Sequence, residues 1–288
     1  MTAPGAGERT GRIEGAGVEL FARWVGDGGG GSTVVAIHGG PGASHDYLRP
    51  QFDLLARDRT LLYYDQRGGG QSPAPRVAPL GWRAHVADLA ALVSGQRLAP
   101  ATLLGFSWGG LLALLFAIEH PELVERLALV APAGTHAGVR AAFEREFAAR
   151  QAAPAVAAAR AALSRSGLRE RDPDAFWRRA FELSVAGYFK DPARATSLTP
   201  FRVNSRAQHA VWESLAGMDL RPRLPGVTAD TLVLHGRFDP IPLASAEELV
   251  RLLPRARLAV FEDSGHALYA EETARFVEVL DPFLPRGG

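Results

Sequence analysis

Apolar residues recur along this chain with two different periods, and the places where the period changes outline the fold. Over residues 13–25 small, apolar and charged residues alternate around Gly15 and Gly17, which predicts an opening β-hairpin. Residues 26–32 are almost all glycine and read as a surface turn, too short to link domains. Residues 33–37 form a nearly continuous β-branched run, the mark of a buried parallel strand. Residues 47–57 have helical spacing, 60–64 read as a strand, 82–92 as a helix and 101–104 as a strand. The apolar stretch 111–119 is helical and stops before Pro121. Residues 127–130, 231–234 and 258–261 are further strands, and helices at about 243–253 and 273–283 follow the last two. Strands alternating with helices in both halves predict an α/β fold: a mostly parallel central sheet with helices on both faces.

Between residues 135 and 218 the alternation stops. This interval is rich in Ala, Arg and Glu, with helical stretches near 139–150, 155–164 and 175–185, punctuated by Pro154, Gly167, Pro173, Pro192 and Pro200. A helical block between two strands reads as a cap over the carboxyl edge of the sheet, where ligands bind in such folds. Extra helices packed on the flank of the sheet are the plainer alternative. The expected organisation is a core of residues 1–134 and 219–288 with an inserted helical cap at 135–218.

Composition narrows the function. A chain of 288 residues is long enough for one large core without staples. Its 32 basic and 31 acidic residues nearly cancel, so no global field draws it to nucleic acid or to an anionic membrane. It has no cysteine, which excludes a disulfide scaffold, a thiolate metal site and a cysteine nucleophile. The longest apolar run, 111–118, is far short of the roughly 20 residues of a membrane helix. Residues 1–17 lack the apolar centre of a signal peptide, so a cytoplasmic location is expected.

Gly105-Phe106-Ser107-Trp108-Gly109 has the form G-x-S-x-G. Random order would give about 0.15 such matches in a chain of this composition, so the placement matters more than the pattern. It ends one apolar strand and opens an apolar helix, the sharp turn that exposes a serine Oγ and needs small neighbours. The helix dipole is then aimed where an oxyanion would form. A serine nucleophile needs a base, and the base an orienting acid, in the chain order Ser, Asp or Glu, His. Asp239 and His266 each follow a strand and so lie at the same sheet edge as Ser107. His120, His136 and His209 lack that placement, and His235 and His38 read as packing and loop residues. The stretch after the strand at 127–130 offers no carboxylate. The N–H of Trp108 and a backbone N–H of the loop His38-Gly39-Gly40-Pro41-Gly42 are the expected oxyanion donors, worth about 3 kcal/mol each. No metal and no cofactor is expected.

Taken together, His38–Gly42, the run Asp65-Gln66-Arg67-Gly68-Gly69-Gly70-Gln71-Ser72, Gly105–Gly110, Gly236–Asp239 and Gly265-His266 resemble the α/β-hydrolase superfamily, and the first three look like its proline iminopeptidase branch. The resemblance runs in order from about residue 33 to 285. It implies the α/β-hydrolase fold, a triad of Ser107, Asp239 and His266, oxyanion donors Gly40 and Trp108, and a buttressing loop at 65–72. It also implies release of an N-terminal proline from a short peptide. A small ester, lactone or amide is the alternative substrate, and a non-catalytic small-molecule receptor on the same fold the alternative class. An aminopeptidase must pair a desolvated ammonium with a carboxylate. Pro240 stands beside Asp239 where some members of the family have that carboxylate, which leaves Glu144, Glu146, Glu182 and Glu213 of the cap. Gly39, Phe106 and Glu213 are the candidates for contact with substrate. Phe176, Trp177, Phe181, Tyr188, Phe189, Phe201 and Trp212 of the cap could line an apolar pocket.

Overall fold

The structure, a computed structural model, describes residues 7–26 and 31–287. Most of the turn expected at 26–32, and the first six residues of the amino-terminal stretch, lie outside the described residues. Among those described, eight strands form one sheet: β1 (Glu8–Glu14), β2 (Glu19–Val25), β3 (Thr33–Ile37), β4 (Thr60–Tyr64), β5 (Ala101–Phe106), β6 (Val124–Val130), β7 (Asp230–Gly236) and β8 (Ala256–Phe261). Their order is β1-β2-β4-β3-β5-β6-β7-β8. β1 pairs antiparallel with β2, and β2 with β4; all other pairs are parallel. The chain therefore has the mostly parallel sheet that its sequence pattern predicts, in the α/β-hydrolase fold that the resemblance implies.

Among the described residues ten α-helices accompany the sheet: α1 (Trp82–Gly95), α2 (Trp108–Glu119), α3 (Ala137–Gln151), α4 (Pro154–Arg165), α5 (Leu168–Arg171), α6 (Pro173–Val185), α7 (Ser205–Ser214), α8 (Leu243–Leu252), α9 (Leu268–Glu271) and α10 (Thr273–Leu280). Successive side chains of a strand face opposite ways, and this divides the core in two. Val35, Ile37, Leu62, Leu103 and Leu127 join α1, α2 and α8 on one face. Val34, Ala36, Leu61, Leu104 and Ala128 join α10 and the segment 45–55 on the other. α2 buries ten of its twelve residues, which accounts for an apolar run without an obvious polar face.

The helix expected at 47–57 is instead two short 3₁₀ turns, His45–Leu48 and Phe52–Leu55. Pro50 has no N–H to give and pushes Arg49 into extended backbone (ψ 151°), so the helix cannot pass through. β6 and β7 are neighbours in register from Arg126↔Asp230 to Val130↔Leu234, so everything between them is an excursion from the sheet edge. That excursion holds α3 to α7. Of these, α7 carries too few apolar positions to be read from the sequence; only Ala207 and Val211, four apart, are buried, and Asn204 Oδ1 caps it by accepting from the N–H groups of Arg206 and Ala207.

Candidate active site

Ser107 lies between β5 and α2 with φ 55° and ψ −118°, a backbone that costs a non-glycine residue about 1–3 kcal/mol. The surroundings hold it there. Its N–H donates to the Val130 carbonyl at 2.9 Å, and its carbonyl accepts from Gly110, Leu111 and Ala133. The glycines on either side are required by close approach: a Cβ on Gly105 would stand 2.3 Å from the Gly109 oxygen, and one on Gly109 2.1 Å from the Ile37 oxygen.

His266 arrives on the loop after β8 and Asp239 on the loop after β7, both at the edge where β5 delivers Ser107. The structure brings all three together: His266 Nε2 is 3.0 Å from Ser107 Oγ, and Nδ1 is 2.9 Å from Asp239 Oδ2. The other carboxylate oxygen accepts the Ile241 N–H at 2.7 Å, so Asp239 cannot swing away. Burial alone would raise the Asp239 carboxyl. The facing imidazoles of His266 and His235, with the hydrogen bonds from His266 and the Ile241 N–H, outweigh burial and hold it below its ordinary value. Asp239 is therefore a carboxylate at neutral pH, able to stabilise a cation on the imidazole beside it. The His266 ring is held between Phe106, 4.9 Å away, and Tyr188, 5.1 Å away and nearly parallel. The Tyr188 carbonyl also accepts the His266 N–H at 2.6 Å. Its hydroxyl is pushed up to about 12, by burial and by Asp239, and stays neutral.

His235, expected to pack, is fully buried and bonds the Ile241 carbonyl through Nε2 at 2.9 Å. Trp108 begins α2, where the first N–H groups have no partner in the helix, and Gly40 lies in the left-handed region at φ 55°. Neither N–H has a hydrogen-bond partner among the described residues.

Ser107, His266, Gly40 and Trp108 open on a cavity of about 350 Å³, walled by Leu111, Val139, Phe143, Tyr188, Trp212, Met218, Leu220 and Ile241. Its size and apolar walls suit a small organic substrate. Besides His266 and Tyr188, the ionisable residues at its wall are Arg140 and Glu144, which pair with each other at 2.8 Å on α3 with the Arg140 guanidinium also 4.2 Å from the Trp212 ring, and His136, whose Nε2 faces Glu248 at 3.3 Å. Among the described residues no group of three or more His, Asp or Glu is placed to hold a metal ion.

Three residues expected to contact substrate do not line this cavity. Glu213 is on the outer face of α7, three-quarters exposed beside His209, because α7 turns Trp212 inward and so must turn its neighbour out. Phe106 alternates inward from the strand end and is buried against His266, Tyr47 and Tyr269, so it supports the imidazole and does not line the cavity. Gly39 backs directly onto Ser107, where a Cβ would lie 2.8 Å from that of the serine; its neighbour Gly40 faces the cavity. Of the cap aromatics, Tyr188 and Trp212 reach the cavity, whereas Trp177 is 58% exposed on the outside. Val139 and Phe143, not singled out from the sequence, line it from α3; their i, i+4 spacing was the available signal.

A family model described as the alpha/beta hydrolase fold matches residues 32–273. The chain is 27% identical over 274 residues to a proline iminopeptidase of Heyndrickxia coagulans, with 89% of this chain and 91% of that one covered. It is 30% identical over 271 residues to a 2-hydroxymuconate semialdehyde hydrolase of Pseudomonas sp. (strain CF600), covering 90% and 88%. An esterase from Exiguobacterium antarcticum superposes with a TM-score of 0.68 at 26% identity, over 96% of this chain and 99% of that chain. The iminopeptidase likeness of the motifs thus extends over most of the chain, and relatives with other names extend as far. The matched span, the sheet order and the strand-to-helix turn at Ser107 agree, and the chain belongs to the α/β-hydrolase fold family.

Proposed function

We propose that this protein is a serine hydrolase that cleaves small, uncharged esters or lactones through an acyl-enzyme. Ser107 Oγ attacks the carbonyl carbon while His266 Nε2 takes its proton, and Asp239 holds the imidazole in the tautomer that leaves Nε2 free to accept. The negative oxygen of the tetrahedral intermediate faces the N–H groups of Gly40 and Trp108, at the positive end of α2. The intermediate expels the alcohol, which receives the proton from His266. Water, with His266 again as base, then releases the acid and restores Ser107.

One observation carries the choice of substrate: the serine opens on an apolar cavity that offers no unpaired carboxylate for an ammonium. A prolyl amine stripped of water needs such a partner. Among the described residues Glu144 is the one carboxylate of the cavity wall, and Arg140 engages it at the solvent side. The iminopeptidase reading, which the motifs and the relatives favour, therefore stands second. Hydrolysis of p-nitrophenyl butyrate and of proline p-nitroanilide, by wild type and by Ser107→Ala, tests both. The expected result is ester turnover that the substitution abolishes, with the anilide left intact. Ser107-dependent cleavage of the anilide at a comparable rate would reverse the order of the two readings.

A further inference from the structure

The segment 65–72 contains a side chain that touches both halves of the expected oxyanion site. Gln66, after β4, is 1% exposed. Its Nε2 donates to the His38 carbonyl at 2.7 Å, and its Oε1 accepts the Trp108 indole N–H at 2.7 Å. The orientation of the amide is dictated by its partners, since an indole N–H can only donate and a carbonyl only accept. Its backbone N–H donates to His38 Nε2 at 3.1 Å, so that ring carries its proton on Nδ1 and gives it to the Gly39 carbonyl at 2.8 Å. Burial keeps the His38 imidazole neutral, in the form this chain of bonds requires.

The consequence follows from peptide geometry. In a trans peptide the N–H points away from the C=O of the same unit. With the Gly39 oxygen tied back toward His38, the Gly40 N–H is turned the other way, on the side of the cavity that Gly40 lines. Gln66 fixes His38 at its carbonyl and its ring, and it fixes Trp108 by its indole. The Trp108 ring is otherwise held by contacts to His85 and Trp212, with centroids 5.7 Å away in each case, that leave rotation in its own plane unopposed by any other hydrogen bond among the described residues. We infer that Gln66 is a positioning residue that sets the separation and direction of the Gly40 and Trp108 N–H groups, so that they converge on one oxygen. The inference rests on the serine-hydrolase reading above. The role acts on the tetrahedral state, in which the oxygen carries charge, and not on binding of the neutral substrate.

The test is the second-order rate of Ser107 labelling by an alkyl fluorophosphonate, a reaction that needs no knowledge of the natural substrate. Oγ bonds to phosphorus, fluoride leaves, and the serine proton goes to His266; the phosphoryl oxygen occupies the oxyanion position. Gln66→Met keeps the volume and deletes both side-chain hydrogen bonds. The expected result is labelling slowed about 10- to 100-fold, with the pH midpoint of the rate and the affinity for butyramide, an uncharged acyl analogue, unchanged. Trp108→Phe removes the indole N–H, together with part of the ring volume, and leaves the tie to His38, so it gives a smaller loss. The double variant is no slower than Gln66→Met, because both act through one tie. If Gln66→Met does not fold, judged by circular dichroism, Trp108→Phe alone decides: slowed labelling at unchanged butyramide affinity supports the inference. Unchanged labelling in the folded variants, or a loss matched by weaker butyramide binding or a shifted pH midpoint, overturns it. A wild type that is not labelled at all overturns the serine-hydrolase reading, and this inference with it.

Discussion

Asp239 has both carboxylate oxygens occupied, one by His266 at 2.9 Å and one by the Ile241 N–H at 2.7 Å, and so can neither rotate nor donate. Replacing it by Asn keeps the shape but presents either an N–H to an N–H or the wrong imidazole tautomer to Ser107. We expect Asp239→Asn to lower kcat for p-nitrophenyl butyrate by about 10⁴-fold with little change in KM. Steady-state kinetics at neutral pH would check this, and a loss of less than tenfold would remove Asp239 from the relay. At the same scale the sequence misplaced Glu213. A carboxylate on a short polar helix has no periodic signal to tell inward from outward, and the apolar stripe of α7 decided the question by turning Val211 and Trp212 in.

The turn from β5 to α2 is the element on which the proposed chemistry depends. Ser107 occupies a left-handed φ because β3, β5 and α2 converge so closely that only hydrogen fits on Gly105 and Gly109. Gly109→Ala would drive a methyl to within 2.1 Å of the Ile37 oxygen and 2.6 Å of the His38 oxygen, neither of which can yield without moving the loop that carries Gly40. A stability loss of about 1–3 kcal/mol is expected from the overpacking, together with a fall in kcat larger than any change in KM. Urea unfolding and ester kinetics on the same sample would measure the two effects. The elbow was legible in the sequence because small residues, a serine and two apolar flanks are each demanded locally. The 3₁₀ turns at 45–55 were not, since apolar spacing alone does not report that Pro50 interrupts the backbone.

Across the whole molecule, two imidazoles are held neutral by burial: His38 below its ordinary value, and His85 lowered to about 3. The unfolded chain protonates both below pH about 6.5, whereas the folded chain does not. Unfolding therefore takes up protons in acid, and stability is full above that pH and falls beneath it. Each group contributes a slope of up to about 1.4 kcal/mol per pH unit. The urea midpoint should be level from pH 8 to 7 and drop between pH 6 and 5, and His85→Phe should show a shallower drop. Equal slopes in the two proteins would exclude His85 as a source.

Read alone, the sequence determined the order of the strands, the interruption between β6 and β7, and the placing of Ser107, Asp239 and His266 at one sheet edge, because each rests on local demands: a period, a turn, a position just past a strand. It did not determine which cap side chains reach the serine, that Phe106 supports His266, or that Gln66 joins His38 to Trp108. Those depend on distances between segments far apart in the chain, and only the assembled sheet and the packing of the helices over it set them. The apolar wall, on which the proposal of an ester substrate rests, is of the same kind, a property of surfaces that meet only when the chain is folded.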